Sequence, residues 1–285
     1  MWIGSFWWVI CLLGVLARGR QTTSARRLVA QYWAALWAGG YFLVTAGLYV
    51  KFPRYLLPIY PVWAAFAALM AVEAGRYIGT KWGRRLVCGG LLVPTALLGI
   101  AQASLYGQPH PWMVASRWLY ARSDAVEIVA VERWDHPLPV PAPEGDPGQF
   151  EQMILPVFAA SSPEKAAQLA EASARAEVII LASRRGYGAL SKQPARYAET
   201  LAWYRTQLQA REVIAFGRCP RLGPLALSDD PLADSGLPTP ISLADRCGTP
   251  YALRLPALDE SFRVYDAPTT LLLRRLRDHT ANRHP

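Results

Sequence analysis

One short stretch of the sequence has residue types suited to holding a phosphate group. Lys51, Arg54 and Tyr55 lie within five residues of one another, and prolines stand at positions 53, 58 and 61. Arginine offers a phosphate a planar fork of N–H donors, lysine a point charge and tyrosine a hydroxyl. Prolines break regular helix, which at membrane depth is tolerated where the backbone lines a cavity. The stretch predicts a bound lipid phosphate, although two basic anchors beside an aromatic belt fit the same residues.

A second polar group stands at the end of a predicted strand. Residues 127–134 (E-I-V-A-V-E-R-W) have the composition of a strand, and Glu132, Trp134, Asp135 and His136 cluster at its end. Such a group can face a cavity and bind an acceptor molecule, or it can satisfy backbone and turn groups. The chain has four histidines without metal-ligand spacing, so no cofactor and no metal site are predicted, and a divalent metal stays open.

Two arginines and two cysteines in the second half of the chain leave alternatives open. Arg184 and Arg185 precede a glycine-rich turn, where they can meet anionic headgroups or sugars, or lie in a solvated loop. Cys219 and Cys247 are separated by 28 positions. A bond between them would stabilise the fold by roughly 3–4 kcal/mol on the loop-entropy model. Their proximity cannot be read from the sequence, so a disulfide is a hypothesis.

The elements around these residues begin with four apolar segments that predict transmembrane helices. A helix that crosses about 30 Å of hydrocarbon needs roughly 20 apolar residues. Two of the segments reach this length, and the two shorter ones have aromatic ends suited to the membrane interface. The segments cover residues 2–17, 28–50, 56–72 and 86–106.

The charge distribution favours a membrane protein and excludes a nucleic-acid binder. Residues 1–106 contain ten Lys or Arg and one acid, Glu73, and so carry the whole net charge of +9. The loops 18–27 and 73–85 each contain four basic residues, which places them in the cytoplasm. Residues 107–285 carry balanced charge and are predicted to be extracytoplasmic. A nucleic-acid binder would instead concentrate its basic residues on a soluble domain.

Residues 107–285 read as an α/β domain. Strands are predicted over 127–134, 178–183, 262–265 and 270–274, and helices from Ser162 to about residue 176 and over 194–210. Neither a G-x-G-x-x-G nor a G-x-x-x-x-G-K motif is present, so a nucleotide site has no support.

Several motifs together resemble a family of membrane enzymes. The stretch at 51–61 looks like the K-x-x-R-Y-x-x-P loop of polyprenyl-phosphate-dependent glycosyltransferases. These include protein O-mannosyltransferase-like enzymes of glycosyltransferase family 39 and the aminoarabinose-lipid A transferases. The motifs that carry the resemblance, in order, are K-F-P-R-Y-L-L-P-I-Y-P (51–61), A-S-R-W-L-Y (115–120), V-E-R-W-D-H-P-L-P (131–139), A-E-V-I-I-L-A-S-R-R-G-Y-G (176–188), P-A-R-Y (194–197) and S-F-R-V-Y-D-A-P (261–268).

The resemblance implies a polytopic α-helical region of GT-C type, with four helices here, followed by an extracytoplasmic α/β domain. The implied enzyme is an integral protein of the bacterial cell membrane. It takes a sugar from a polyprenyl-phosphate donor and transfers it to a glycan, lipid or protein acceptor at the outer face. Lys51, Arg54 and Tyr55 match the family residue by residue as donors to the lipid phosphate.

The resemblance is incomplete at the catalytic carboxylate. In this family the general base lies in the first outer loop, near the N-terminus of the full enzyme. This chain has no acid before Glu73, so no catalytic residue is assigned and the expected acid lies upstream of it. We therefore expect the C-terminal portion of such an enzyme, as a fragment or a split gene. The alternative is a non-catalytic, membrane-anchored protein that binds a glycan or a partner.

Overall fold

The computed structural model describes residues 25–48, 53–78, 80–132, 138–256 and 264–276. The chain divides between Leu98 and Gly99 into two compact units. The first unit is helical in its described part, and the second is built from helices and sheets. The mixed helix and sheet composition expected from the sequence is therefore present.

The first unit consists of long helices joined by short connections. Helix α1 spans Ala25–Gly47, α2 spans Tyr60–Tyr77, and α3 spans Lys81–Ala103 and continues into the second unit. A 3₁₀ helix, Pro53–Ile59, leads directly into α2. Pro61 fits at the start of α2 because the first turn of a helix has no partner for its N–H groups.

Helices α2 and α3 extend into the predicted loop 73–85 and leave only residues 78–80 between them. Glu73 lies on α2 and forms a 3.3 Å ion pair with Arg76, one helical turn later. Charged residues are common at helix ends, so a helix can continue beyond its apolar run. The predicted end of the third segment at residue 72 is therefore too early, because α2 continues to Tyr77. The segment 2–17 lies outside the described residues.

Two helical stretches of the described chain are long and apolar enough to cross a membrane, Tyr55–Tyr77 and Lys81–Tyr120. In their most apolar parts only 17% and 6% of the residues are buried, whereas a core helix of a soluble protein is mostly buried. Helix α1 matches the predicted segment 28–50 in position but is not among these two. The predicted set of four crossing helices is therefore not confirmed.

The second unit contains a five-stranded sheet of order β2-β1-β3-β8-β4 and a three-stranded sheet of order β5-β6-β7. Strands β2, β1 and β3 run parallel, and β8 runs antiparallel to its neighbours β3 and β4. Ile180 pairs with Val131 in β1 and with Leu272 in β8. The strands are β1 (Ile128–Glu132), β2 (Glu151–Leu155), β3 (Val178–Leu181), β4 (Glu212–Phe216), β5 (Arg221–Leu222), β6 (Leu225–Ser228), β7 (Ala252–Arg254) and β8 (Thr270–Arg274).

Helices cover both faces of the larger sheet. Val178 and Ile180 of β3 pack with α4 in one core cluster, while Ile179 and Leu181 pack with α5 and α7 in another. This alternation follows from the two-residue period of a strand. The central strands are buried on both sides, which explains their continuous apolar runs. The helices of this unit are α4 (Pro111–Tyr120), α5 (Pro163–Arg175), α6 (Arg185–Leu190), α7 (Ala198–Ala210) and α8 (Leu243–Cys247).

A disulfide links Cys219, just before β5, to Cys247 at the end of α8, with Cα atoms 5.5 Å apart. Both cysteines are buried and pack with Ala226 of β6 in a small apolar cluster. Gly248 follows α8 with φ of +61°, a left-handed conformation that glycine adopts without strain. The pairing that the sequence left open is present in the structure.

Candidate functional site

The carboxyl ends of β1 and β3 form the switch point of the larger sheet. From β1 the chain passes to β2 on one side, and then returns across β1 to β3 on the other. Open α/β sheets bind ligands at such a point, outside the carboxyl ends of the strands. Glu132 is the last residue of β1, and residues 182–185 follow β3 into α6.

Glu132 is a buried carboxyl group with 8% of its surface exposed. Its Oε1 accepts a short hydrogen bond from the Tyr204 hydroxyl of α7. Burial raises the pKa of Glu132 to about 7, and the bond from Tyr204 opposes this rise. Burial also raises the pKa of Tyr204 well above its usual value, so its hydroxyl stays protonated and donates. The carboxyl group can therefore exchange a proton near neutral pH.

Gly186, in the first turn of α6, allows the chain to pass close to this pair. A Cβ atom at Gly186 would lie 2.7 Å from the Tyr204 hydroxyl oxygen and closer still to Glu132 Oε1. No larger residue fits there without moving buried groups. Glu132, Gly186 and Tyr204 therefore form one closely packed contact between β1, α6 and α7.

A small cleft of about 20 Å³ opens beside Glu132, which is room for about one water-sized group. Arg185 Nη1 donates a 2.7 Å hydrogen bond to the Tyr265 hydroxyl across this cleft. Trp112 Nε1 donates to the Ala182 carbonyl oxygen at 2.8 Å, which fixes the indole at the cleft wall. The lining residues are Trp112, Glu132, Phe158, Ala182, Ser183, Arg185, Gly186, Val264 and Tyr265.

His110 holds the cleft wall in place from the start of α4. Its Nε2 donates to the Tyr265 carbonyl oxygen at 2.9 Å, and its Nδ1 accepts from the Trp112 backbone N–H at 3.2 Å. Burial is the main cause that lowers the pKa of His110, so the neutral ring with its proton on Nε2 fits both bonds. A single imidazole thus positions the two aromatic residues of the cleft.

Arg184 is mostly shielded from solvent, with 12% of its side chain exposed. It forms a 2.7 Å ion pair with Asp229, whose side chain is 1% exposed and whose carbonyl oxygen accepts from Arg246 at 2.5 Å. Arg184 is therefore ion-paired within the fold rather than placed in a solvated loop. Contact of Arg184 with headgroups or sugars stays a prediction. Nearby, the buried Tyr187 hydroxyl has no hydrogen-bond partner in the described part of the chain.

The structure describes only some of the residues singled out from the sequence. Glu132 lines the cleft, whereas Trp134, Asp135 and His136 lie outside the described residues. Lys51 is likewise outside them. Arg54 lies in the 3₁₀ helix Pro53–Ile59, where only its backbone is described, and Tyr55 follows it half-buried.

The residues that sequence reasoning missed are Trp112, Tyr204 and Tyr265, because no local pattern marks them as neighbours of Glu132. Tyr265 belongs to the motif at 261–268, which was the one available signal. Within the described ranges, no group of three or more His, Cys, Asp or Glu residues is arranged to hold a metal ion.

No protein-family model, curated protein or solved structure matches the chain. The function of the chain is therefore argued from its residues and their geometry.

Proposed function

We propose that this chain is the C-terminal portion of a membrane glycosyltransferase that uses a polyprenyl-phosphate-linked sugar as donor. The acceptor is a glycan, a lipid or a protein at the outer face of a bacterial cell membrane. The observation that carries this proposal is the position of the K-x-x-R-Y-x-x-P stretch. Arg54 and Tyr55 lie in a 3₁₀ turn that runs straight into α2, one of the two helices long and apolar enough to cross a membrane.

The position matters because the backbone of Arg54 lies at the end of an apolar helix, the level at which the phosphate of a membrane lipid lies. Each charge-assisted hydrogen bond to a phosphate contributes about 1.5–3 kcal/mol. Pro58 lies inside the 3₁₀ helix and has no N–H, so the backbone that follows Arg54 is not a regular α-helix. Irregular backbone at membrane depth is characteristic of protein-lined cavities, which supports a binding site over simple anchoring.

In this proposal the segments 2–17, 28–50, 56–72 and 86–106 cross the membrane as part of a GT-C type fold. The loops 18–27 and 73–85 face the cytoplasm, and the α/β unit lies outside the cell membrane. The Cys219–Cys247 disulfide supports this location, because such bonds persist in oxidising compartments and are rare in the cytosol.

Three of the motifs that carry the resemblance supply seven of the nine residues that line the cleft, all but Trp112 and Phe158. Glu132 belongs to the motif at 131–139, Arg185 to that at 176–188 and Tyr265 to that at 261–268. These three side chains line one cleft although more than fifty positions separate each from the next. Their placement in one cleft supports a ligand-binding site in the α/β unit.

A second candidate is a non-catalytic, membrane-anchored protein that binds a glycan or a partner. It is favoured by the acid distribution, because Glu73 is the first acid of the chain and is ion-paired with Arg76 on α2. The family's general base then has no counterpart in this chain. A non-catalytic protein of this kind could still bind the lipid phosphate, so phosphate binding alone does not separate the two candidates.

The test is polyprenyl-phosphate binding by the chain in nanodiscs. In the double variant Lys51→Gln/Arg54→Gln, we expect the dissociation constant to rise at least about tenfold, since two charge-assisted bonds are lost. The matched control is Lys81→Gln/Arg85→Gln, which removes the same charges at the start of α3 and should bind as the unchanged chain does. Equal binding by the two double variants would reject the proposal.

A further inference from the structure

We infer that the cleft at the carboxyl ends of β1 and β3 binds a sugar through one of its hydroxyl groups, with Glu132 as acceptor and Arg185 as donor. The choice of a sugar as the ligand class rests on the proposed function. The hydroxyl-binding chemistry rests on the cleft alone.

Glu132 has capacity for a ligand that the described residues do not use. A carboxyl group can accept about four hydrogen bonds, and Tyr204 is the one described residue that donates to it. Buried polar groups are normally hydrogen-bonded, so a carboxyl at a cleft with one donor among the described residues has room for a further partner such as a water or a ligand. Glu132 lines the cleft, where a small polar group can reach it.

The size of the cleft and the polar groups in its lining suit a hydroxyl group. About 20 Å³ admits one water-sized group, and the lining brings one acid and one arginine to the same space. A hydroxyl both donates and accepts, so it can donate to Glu132 while it accepts from Arg185.

Two aromatic rings give the cleft an apolar wall. The rings of Trp112 and Tyr265 meet edge to face with centroids 6.4 Å apart. Ligand sites combine such apolar walls with a few fixed polar groups. A sugar ring has the same combination, with C–H faces for the aromatic wall and hydroxyls for the polar groups. Hydrogen bonds from His110 and to Ala182 hold the wall in place before a ligand arrives.

The experiment is saturation-transfer NMR on the full chain in nanodiscs. The probes are the methyl glycosides of mannose, glucose, galactose and arabinose, with methylammonium as the charged comparison. We expect saturable binding of at least one glycoside. Its dissociation constant should rise about 3- to 10-fold in Glu132→Gln and in Arg185→Gln, since each loses one hydrogen bond to the ligand. The control Glu171→Gln, an exposed carboxyl on α5, should bind as the unchanged chain does.

The two variants Glu132→Gln and Arg185→Gln are tested separately, so the binding test still has an outcome if one of them unfolds. Arg185→Gln changes a side chain at the cleft rim, and unfolding curves recorded beside the titrations identify any loss of fold. The inference is overturned if no glycoside binds, if methylammonium alone binds, or if both folded variants bind the glycoside as the unchanged chain does. The double variant Lys51→Gln/Arg54→Gln should keep glycoside binding. Failure of the lipid-phosphate proposal is thereby separated from failure of this one.

Discussion

The burial of Glu132 is expected to make the stability of the α/β unit depend on pH. Its pKa is about 7 in the fold against a usual value of 4.5, so the folded state holds the proton more tightly. Stability therefore falls as pH rises from about 4.5 to about 7, by roughly 3 kcal/mol, and levels off above that. In Glu132→Gln this decrease of the unfolding free energy between pH 4.5 and pH 7 should disappear. Denaturant unfolding at pH 5 and pH 7.5 measures the unfolding free energy of both proteins. The same change in free energy between the two pH values in both proteins would show that Glu132 is not buried in this way.

Gly186 is expected to tolerate no side chain, because a Cβ there meets the Tyr204 hydroxyl at 2.7 Å. Gly186→Ala should destabilise the unit by about 1–3 kcal/mol through overpacking. The matched control is Gly188→Ala in the same helix, where the nearest atom to a new Cβ is 3.6 Å away, an ordinary contact. The control should be neutral or slightly stabilising, since alanine favours helix. Equal losses in both variants would contradict the close packing of α6 on the carboxyl group.

Arg211 connects three elements around the opposite end of the sheet. Its guanidinium donates to the carbonyl oxygens of Ser173 and Ala176 at the end of α5, and of Leu273 in β8. Arg211→Met should cost about 1–3 kcal/mol, because each of these carbonyl groups loses one donor, while Arg275 still donates to those of Ser173 and Ala176. The control Arg205→Met, on an exposed position of α7, should change stability by less than about 0.5 kcal/mol. Thermal unfolding of both variants measures the difference, and a stable Arg211→Met would disprove this role.

The sequence predicted those strands and helices that have a clear local signal, either a run of buried apolar residues or a helix-capping residue. Strands β1, β3 and β8 are apolar runs buried on both faces. Helix α5 begins at Pro163, directly after the predicted cap residue Ser162, whose side chain accepts from the Lys165 N–H at 3.2 Å. The edge strand β2 was missed because it opens with the polar pair Glu151-Gln152 and is largely exposed. The small sheet β5–β7 was missed because its strands span only two to four residues.

The candidate site was predictable only where a residue adjoins a recognisable element. Glu132 ends a strand that the sequence predicts, so its place at the sheet edge followed from local pattern. Tyr204 and Tyr265 reach it from positions more than seventy and one hundred thirty residues away, through tertiary packing that no local pattern encodes. The burial that raises the pKa of Glu132 depends on the same packing and was equally hidden.

Across the described part of the molecule, most of the exposed large apolar side chains lie in the first unit. Its exposed side chains include large residues along α1 and α3, and contiguous patches of this kind mark contacts with lipid or protein. The second unit has a two-sided core around its larger sheet and a disulfide beside its smaller one. In the proposed function, the first unit would hold the lipid phosphate and the second unit the sugar.

The direct measurement is photolabelling with a polyprenyl phosphate that carries a diazirine close to its phosphate. The chain is labelled in nanodiscs and the modified peptides are mapped by mass spectrometry. We predict that label concentrates in residues 51–61 and is displaced by unlabelled polyprenyl phosphate but not by the polyprenol that lacks the phosphate. Label scattered along the apolar helices, or displaced equally by both lipids, would contradict a phosphate site in this chain.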